Sequence, residues 1–300
     1  MSATDPSLAT AAATHARAWT VAKTVAVDTF NDGFIHAGNL AYLAMLAIFP
    51  FFILGAALFD LIGGRENAEA MIRSVALALP DSVAATIVPV AEDVVYARSG
   101  WLLWAGGAIG LWTVSSLIET IRDILRRAYG ARSLRAFWKT RLLSAGLILG
   151  AVVLLMLSLF AQVAIGGAQQ VILAAFPQLG EWIGTLQLSR IVPALGLWGS
   201  LFVLFLTLTP PAFRGRRFPK WPGALFTAVW WLAVAAALPV VLRSVFTYDL
   251  TYGSLAGAMV TLLFFWLVGL GLVIGAELNA ALALEGRDHG ADKAPREETA

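Results

Sequence analysis

Six polar residues stand within or at the ends of stretches that are otherwise apolar: Asn39 and Tyr42, Glu119 and Arg122, Glu277 and Asn279. Charged groups in such stretches usually pair, or line a water-filled path through a membrane. They can also snorkel to an interface or lock helices together. Glu277 and Arg122 are a candidate ion pair. Soluble-substrate catalysis is poorly provided for. The histidines are His15, His36 and His289, too scattered for metal or acid–base work. There is no P-loop, no Gly-x-Ser-x-Gly and no Gly-x-Gly-x-x-Gly following a strand. The carboxylates are not grouped to hold metal as a nuclease needs. With no cysteine, disulfides, thiolate metal sites and cysteine nucleophiles are excluded. The expectation is a protein that is not an enzyme and has no cofactor or metal.

Basic residues form two groups. Arg122, Arg126, Arg127, Arg132, Arg135, Lys139 and Arg141 make the first; Arg214, Arg216, Arg217 and Lys220 make the second. Each Lys or Arg held near an anionic leaflet contributes about 1 kcal/mol, so both groups are candidate contacts for anionic phospholipid headgroups. Nucleic acid is not expected, because few aromatics, Phe137 and Trp138 among them, are interleaved in the first group.

The elements that hold these residues follow from composition. Hydrophobic residues make up 59% of the 300 and charged residues 13%, against about 25% charged in soluble domains. The mean hydropathy is +0.77. Apolar runs of spanning length predict an all-α, polytopic membrane protein with six transmembrane helices. The spans fall near 39–62 (with Pro50 as a kink), 101–121, 142–176, 191–208, 222–242 and 254–284. The third run is too long for one span and is expected to protrude or break at Gly166-Gly167, and Gln162 within it is expected to bond a neighbouring helix.

Residues 1–37 form an N-terminal segment with no cleavable signal peptide. Its apolar positions from His15 to Ile35 read as an interfacial helix, or as a helix capping the bundle. Residues 38–284 form the transmembrane domain and 285–300 a disordered tail. Segments 70–79 and 84–96 read as amphipathic helices outside the core. Across from the basic groups, Tyr248, Asp249 and Tyr252 read as an aromatic belt, with a gate as the alternative.

Threading follows from Lys and Arg. With six spans, 16 of the 21 basic residues share one side with both termini, which are therefore expected in the cytoplasm. Glycines four apart (Gly106/Gly110, Gly146/Gly150, Gly253/Gly257, Gly271/Gly275) allow helices to approach closely within one bundle, and are compatible with an oligomer.

The sequence resembles the YihY/BrkB family of bacterial inner-membrane proteins over about residues 20 to 284. The resemblance rests on Asn39-Leu40-Ala41-Tyr42 leading to Phe49-Pro50, Trp112 to Ser116, Arg135-Ala136-Phe137-Trp138-Lys139-Thr140-Arg141 and Pro222-Gly223-Ala224. Most specific are Tyr252-Gly253-Ser254-Leu255, Trp266 and Gly275-Ala276-Glu277-Leu278-Asn279. Ala47-Ile48 replaces the usual Ser-Leu, and Arg126-Arg127 replaces the usual asparagine. The resemblance implies a six-helix inner-membrane protein of unassigned activity, in a family whose members have been labelled ribonuclease and virulence factor.

Two functional expectations result. In the first, the protein transports or flips an anionic amphiphile or solute. Asn39, Tyr42, Glu119, Arg122, Glu277 and Asn279 then form a polar vestibule on the side of the basic groups. The alternative is a structural or assembly protein of the cell envelope that carries nothing. A membrane ribonuclease stands third.

Overall fold

The structure is a computed structural model and describes residues 19–62, 65–77, 79–96, 101–131, 138, 141–148, 150, 188–245 and 255–292. No strand occurs among the described residues. Among the described residues, three helices are long and apolar enough to cross a membrane, Trp19–Ala57, Trp221–Leu242 and Ala256–Glu285, with Ala194–Leu208 a shorter apolar helix. The expected run through Gly166-Gly167, the expected belt at Tyr248, Asp249 and Tyr252, and residues 293–300 lie outside the described residues.

The chain enters through α1 (19–28), whose end flows through a π-turn at Thr29–Gly33 into α2, Phe34–Ile62. Sequence reading separated an entry helix from the first span, whereas the two form one rod. Nothing between Trp19 and Phe34 obliges the helix to stop, and the π-turn absorbs the change of register. Val21, Val25 and Thr29, four residues apart, are buried; Val21 and Val25 pack with Ala281 of the last helix. Phe34 stacks on Trp266 with ring centroids 5.8 Å apart. Pro50 sits inside α2 against Gly110, where an added Cβ would lie 2.8 Å from the Pro50 carbonyl oxygen.

Helices α3 (Arg65–Leu77) and α4 (Asp81–Tyr96) form a hairpin. Their apolar faces pack onto the long helices. Met71, Ile72, Val83, Ile87 and Ala91 are buried with Phe52, Val234, Leu238, Val260 and Phe264 of the long helices. An amphipathic face has a bundle to bury against as readily as a headgroup layer.

Helix α5 (Trp101–Ala128) ends in a Schellman motif. Gly130 takes φ +61°, Ala131 N–H donates to Arg126 O at 2.8 Å and Gly130 N–H to Arg127 O at 2.9 Å. Glycine adopts this left-handed conformation without a Cβ penalty, and Arg126 and Arg127 fall in the last turn where cations suit the helix dipole. Helix α6 is described over 141–148. Then come α7 (Leu188–Leu208), α8 (Trp221–Val245) and α9 (Ala256–Asp292). Helix α9 passes the expected limit at Leu284, so 285–292 are helical rather than a disordered tail.

Helix α9 is the hub, meeting α2, α4, α5 and α8. One core cluster surrounds Leu125, Tyr129, Phe205, Phe213 and Ala276. It marks the basic end, because the α5 terminus and the α7–α8 connection meet there. The second cluster, under the α3–α4 hairpin, marks the opposite end.

Candidate functional site

The six residues expected to share a vestibule are dealt to different tasks. Asn279 is fully buried and closes the start of α8. The first N–H groups of a helix lack intrahelical partners, and Lys220, just before α8, has no side-chain acceptor to offer. Asn279 supplies one from another helix. Its Oδ1 accepts from Gly223 N–H at 2.8 Å, and its Nδ2 donates to Lys220 O at 3.0 Å. Below it, Thr227 Oγ1 donates to Gly223 O and lies 3.2 Å from Gly271 O, and Trp230 Nε1 donates to Leu267 O at 2.8 Å.

Glycine makes this seam possible. A Cβ on Gly275 would strike Thr227 Oγ1 and come within 2.8 Å of Gly223 O, and one on Gly271 would strike the Trp230 ring. Gly271, Gly275 and Asn279, spaced by four, therefore form one packed face. That face is legible in the sequence as a close-approach signal, but its capping role is not.

Glu119 and Arg122 turn to α6. The Arg141 guanidinium, from a residue 8% exposed, donates to Glu119 Oε2 at 3.2 Å, Trp112 O at 2.6 Å and Ser116 Oγ at 3.1 Å. It lies 3.9 Å from the Trp112 ring centroid, a cation–π contact. A planar fork of donors suits this many acceptors at once. Arg122, 4% exposed, donates to Ser144 Oγ at 3.1 Å. The charged neighbours of Glu277 are Asp28 and Asp32. Both lie on the entry helix and its π-turn and are exposed. Asn39 and Tyr42 are exposed on the outer face of α2.

The second basic group divides likewise. Arg214 Nε donates to Thr209 O at 3.1 Å and closes the end of α7. Lys220 Nζ donates to the carbonyls of Arg214 and Gly215 at 2.9 and 2.8 Å, and burial pushes its amine below the usual lysine range. Lys220 therefore folds its own loop. Arg216 and Arg217 are exposed, as is Arg127, while Arg126 is half-buried and pairs with Asp123 at 3.1 Å. Tyr129 packs 4.9 Å from Phe213, joining the two basic segments. Arg132, Arg135 and Lys139 lie outside the described residues.

Space in the bundle is apolar. A cavity of about 360 Å³ lies between α2, α5, α7, α8 and α9, with Ala44, Phe51, Ile118, Leu204, Trp231 and Val268 in its walls. Nothing in the sequence marked it, because it is left where side chains of five helices fail to meet. A groove of about 470 Å³ runs beside Glu277, walled by Val25, Thr29, Phe30, Phe226, Ile274 and Leu278. Among the described residues, no group of three or more His, Cys, Asp or Glu stands ready to hold a metal ion.

A family model described as Virulence factor BrkB matches residues 29–299. The chain is 28% identical over 262 residues to the "Putative ribonuclease-like protein YfkH" of Bacillus subtilis, covering 85% of this chain and 91% of that one. It is 25% identical over 253 residues to a "UPF0761 membrane protein" of Delftia acidovorans, covering 83% of this chain but 58% of that longer one. It is 26% identical over 257 residues to the "UPF0761 membrane protein PSHAa0171" of Pseudoalteromonas translucida, covering 84% and 81%. No solved structure matches.

Proposed function

The chain belongs to the virulence factor BrkB family, and from that membership and the geometry of the bundle we propose that it is a multi-pass protein of a bacterial inner membrane that carries or flips an anionic amphiphile. The central cavity carries the reading. Its size falls in the roughly 300–1,000 Å³ range of small-molecule sites, and its walls suit an apolar chain. The basic end, with Arg127, Arg216 and Arg217 exposed, would hold the anionic headgroup and, by the positive-inside tendency, face the cytoplasm with both termini. Asn279, Glu119, Arg122 and Lys220 build the frame rather than touch cargo. Of the expected vestibule, Glu277, Asn39 and Tyr42 are the members not taken into that frame.

The test is photolabelling in vesicles of phosphatidylethanolamine and phosphatidylglycerol. Phosphatidylglycerol with a diazirine in its acyl chain should label the walls of the cavity, and Ala44→Trp, which fills it, should remove that labelling while the protein stays folded. Labelling confined to the outer faces of the bundle would overturn the reading. A second reading, an envelope assembly protein that carries nothing, draws on the polar side chains being taken up in contacts with one another. It expects Glu277→Gln to alter stability or partner recovery with no change in lipid movement. The ribonuclease name belongs to the Bacillus relative; RNA cleavage by purified protein would bring it to this chain.

A further inference from the structure

A chain housed in the central cavity needs a way out of it. A second cavity, of about 420 Å³, lies toward the hairpin end, walled by Leu79 and Asp81 of the α3–α4 turn, Ala194 and Leu197 of α7, and Ala235 and Pro239 of α8. The two cavities are stacked along one helix face. Ala194 and Leu197 line the outer one, and Leu201 and Leu204 line the central one. Their spacings of three, four and three make a single stripe of α7. One described residue stands in both walls, Trp231 of α8.

Its surroundings let it act differently from the tryptophan beside it. Trp230 is fixed by its hydrogen bond to Leu267 O and by a near-parallel ring contact with Phe226. Trp231 makes no hydrogen bond to a described residue and is half-buried, with empty volume on two sides. A large flat side chain between two spaces is a partition that one rotamer change removes.

Resting on the amphiphile reading above, we propose that Trp231 is the gate residue between the two chambers. Its indole divides the central cavity from the outer one, and its displacement joins them into one path for the apolar chain of an anionic lipid. The path runs from the middle of the bundle to the hairpin end, where Asp81 stands in the wall of the second chamber.

The experiment compares the full chain with Trp231→Ala, Trp231→Leu and Trp231→Phe in the same vesicles. It uses headgroup-labelled phosphatidylglycerol to follow translocation and the acyl diazirine probe to map occupancy. Trp231→Leu duplicates the truncation should Trp231→Ala fail to fold. The expected result is several-fold faster translocation in the truncated variants, with Trp231→Phe, which keeps a ring in the partition, slower than either. Labelling should spread from Leu201 and Leu204 to Leu197 and Ala235 in the truncated variants. If the wild type labels the central walls but truncation changes neither rate nor labelling pattern, the gate is wrong and the amphiphile reading survives. If the wild type labels neither chamber, the reading fails and takes the gate with it.

Discussion

At the residue scale, the polar groups of this bundle are fasteners first. Replacing Asn279 with Ala leaves Gly223 N–H without its partner in a site closed to water, and leaves Lys220 O with only the longer bond from Ala224 N–H at 3.3 Å. An unsatisfied buried group costs about 1–3 kcal/mol, although hydrogen bonds between membrane helices average nearer ~0.6 kcal/mol. Asn279→Ala should therefore lower the melting temperature in detergent, and Asn279→Asp should lower it further by losing the donor and adding a charge. An unchanged melt for both would remove the cap. Arg141→Lys should cost about 1–2 kcal/mol, because one ammonium cannot serve three acceptors and an aromatic face together. Glu119→Gln added to the Arg141→Lys variant should then cost less than in the wild type, and equal costs would mean the pair is not coupled. The sequence showed Glu119, Arg122 and Asn279 to be anomalous in apolar runs. It could not show their partners, because Arg141 and Trp112 meet through a turn of chain 29 residues long.

At the element scale, the seam between α8 and α9 depends on glycine in a way that tests cleanly. Gly275→Ala must push its methyl into Thr227 and the Gly223 carbonyl. Overpacking of this kind costs about 1–3 kcal/mol. Gly38→Ala is the control: its Cβ meets nothing nearer than a Trp266 ring carbon at 4.0 Å, and alanine is the better helix former. The first should melt early and the second should be neutral or stabilised; equal melts would mean the seam is looser than described. Helix existence was legible here. The apolar runs around Pro50, Leu201, Trp230 and Phe264 are helices as their composition requires. Continuity and docking were less so. Lys23, Asp28 and Asp32 made 19–33 look separate from the span it feeds, and the polar turns around Arg65 and Asp81 hid how deeply Met71 and Val83 are buried. Both depend on a neighbouring helix surface that local periodicity does not encode.

At the scale of the whole molecule, the long helices border an apolar cavity between a basic end and a hairpin-covered end. Charge asymmetry was readable from the chain alone, since the basic residues cluster in two segments that Tyr129 and Phe213 bring into contact. The cavity was not, because a void is a property of packing between helices. Whether this space serves the apolar chain of an anionic lipid is read from translocation of headgroup-labelled phosphatidylglycerol in vesicles. Wild-type protein should move the label faster than protein-free vesicles, and folded Ala44→Trp should fall to the protein-free rate. A wild type no faster than empty vesicles, or a filled cavity that leaves the rate intact, would contradict that role.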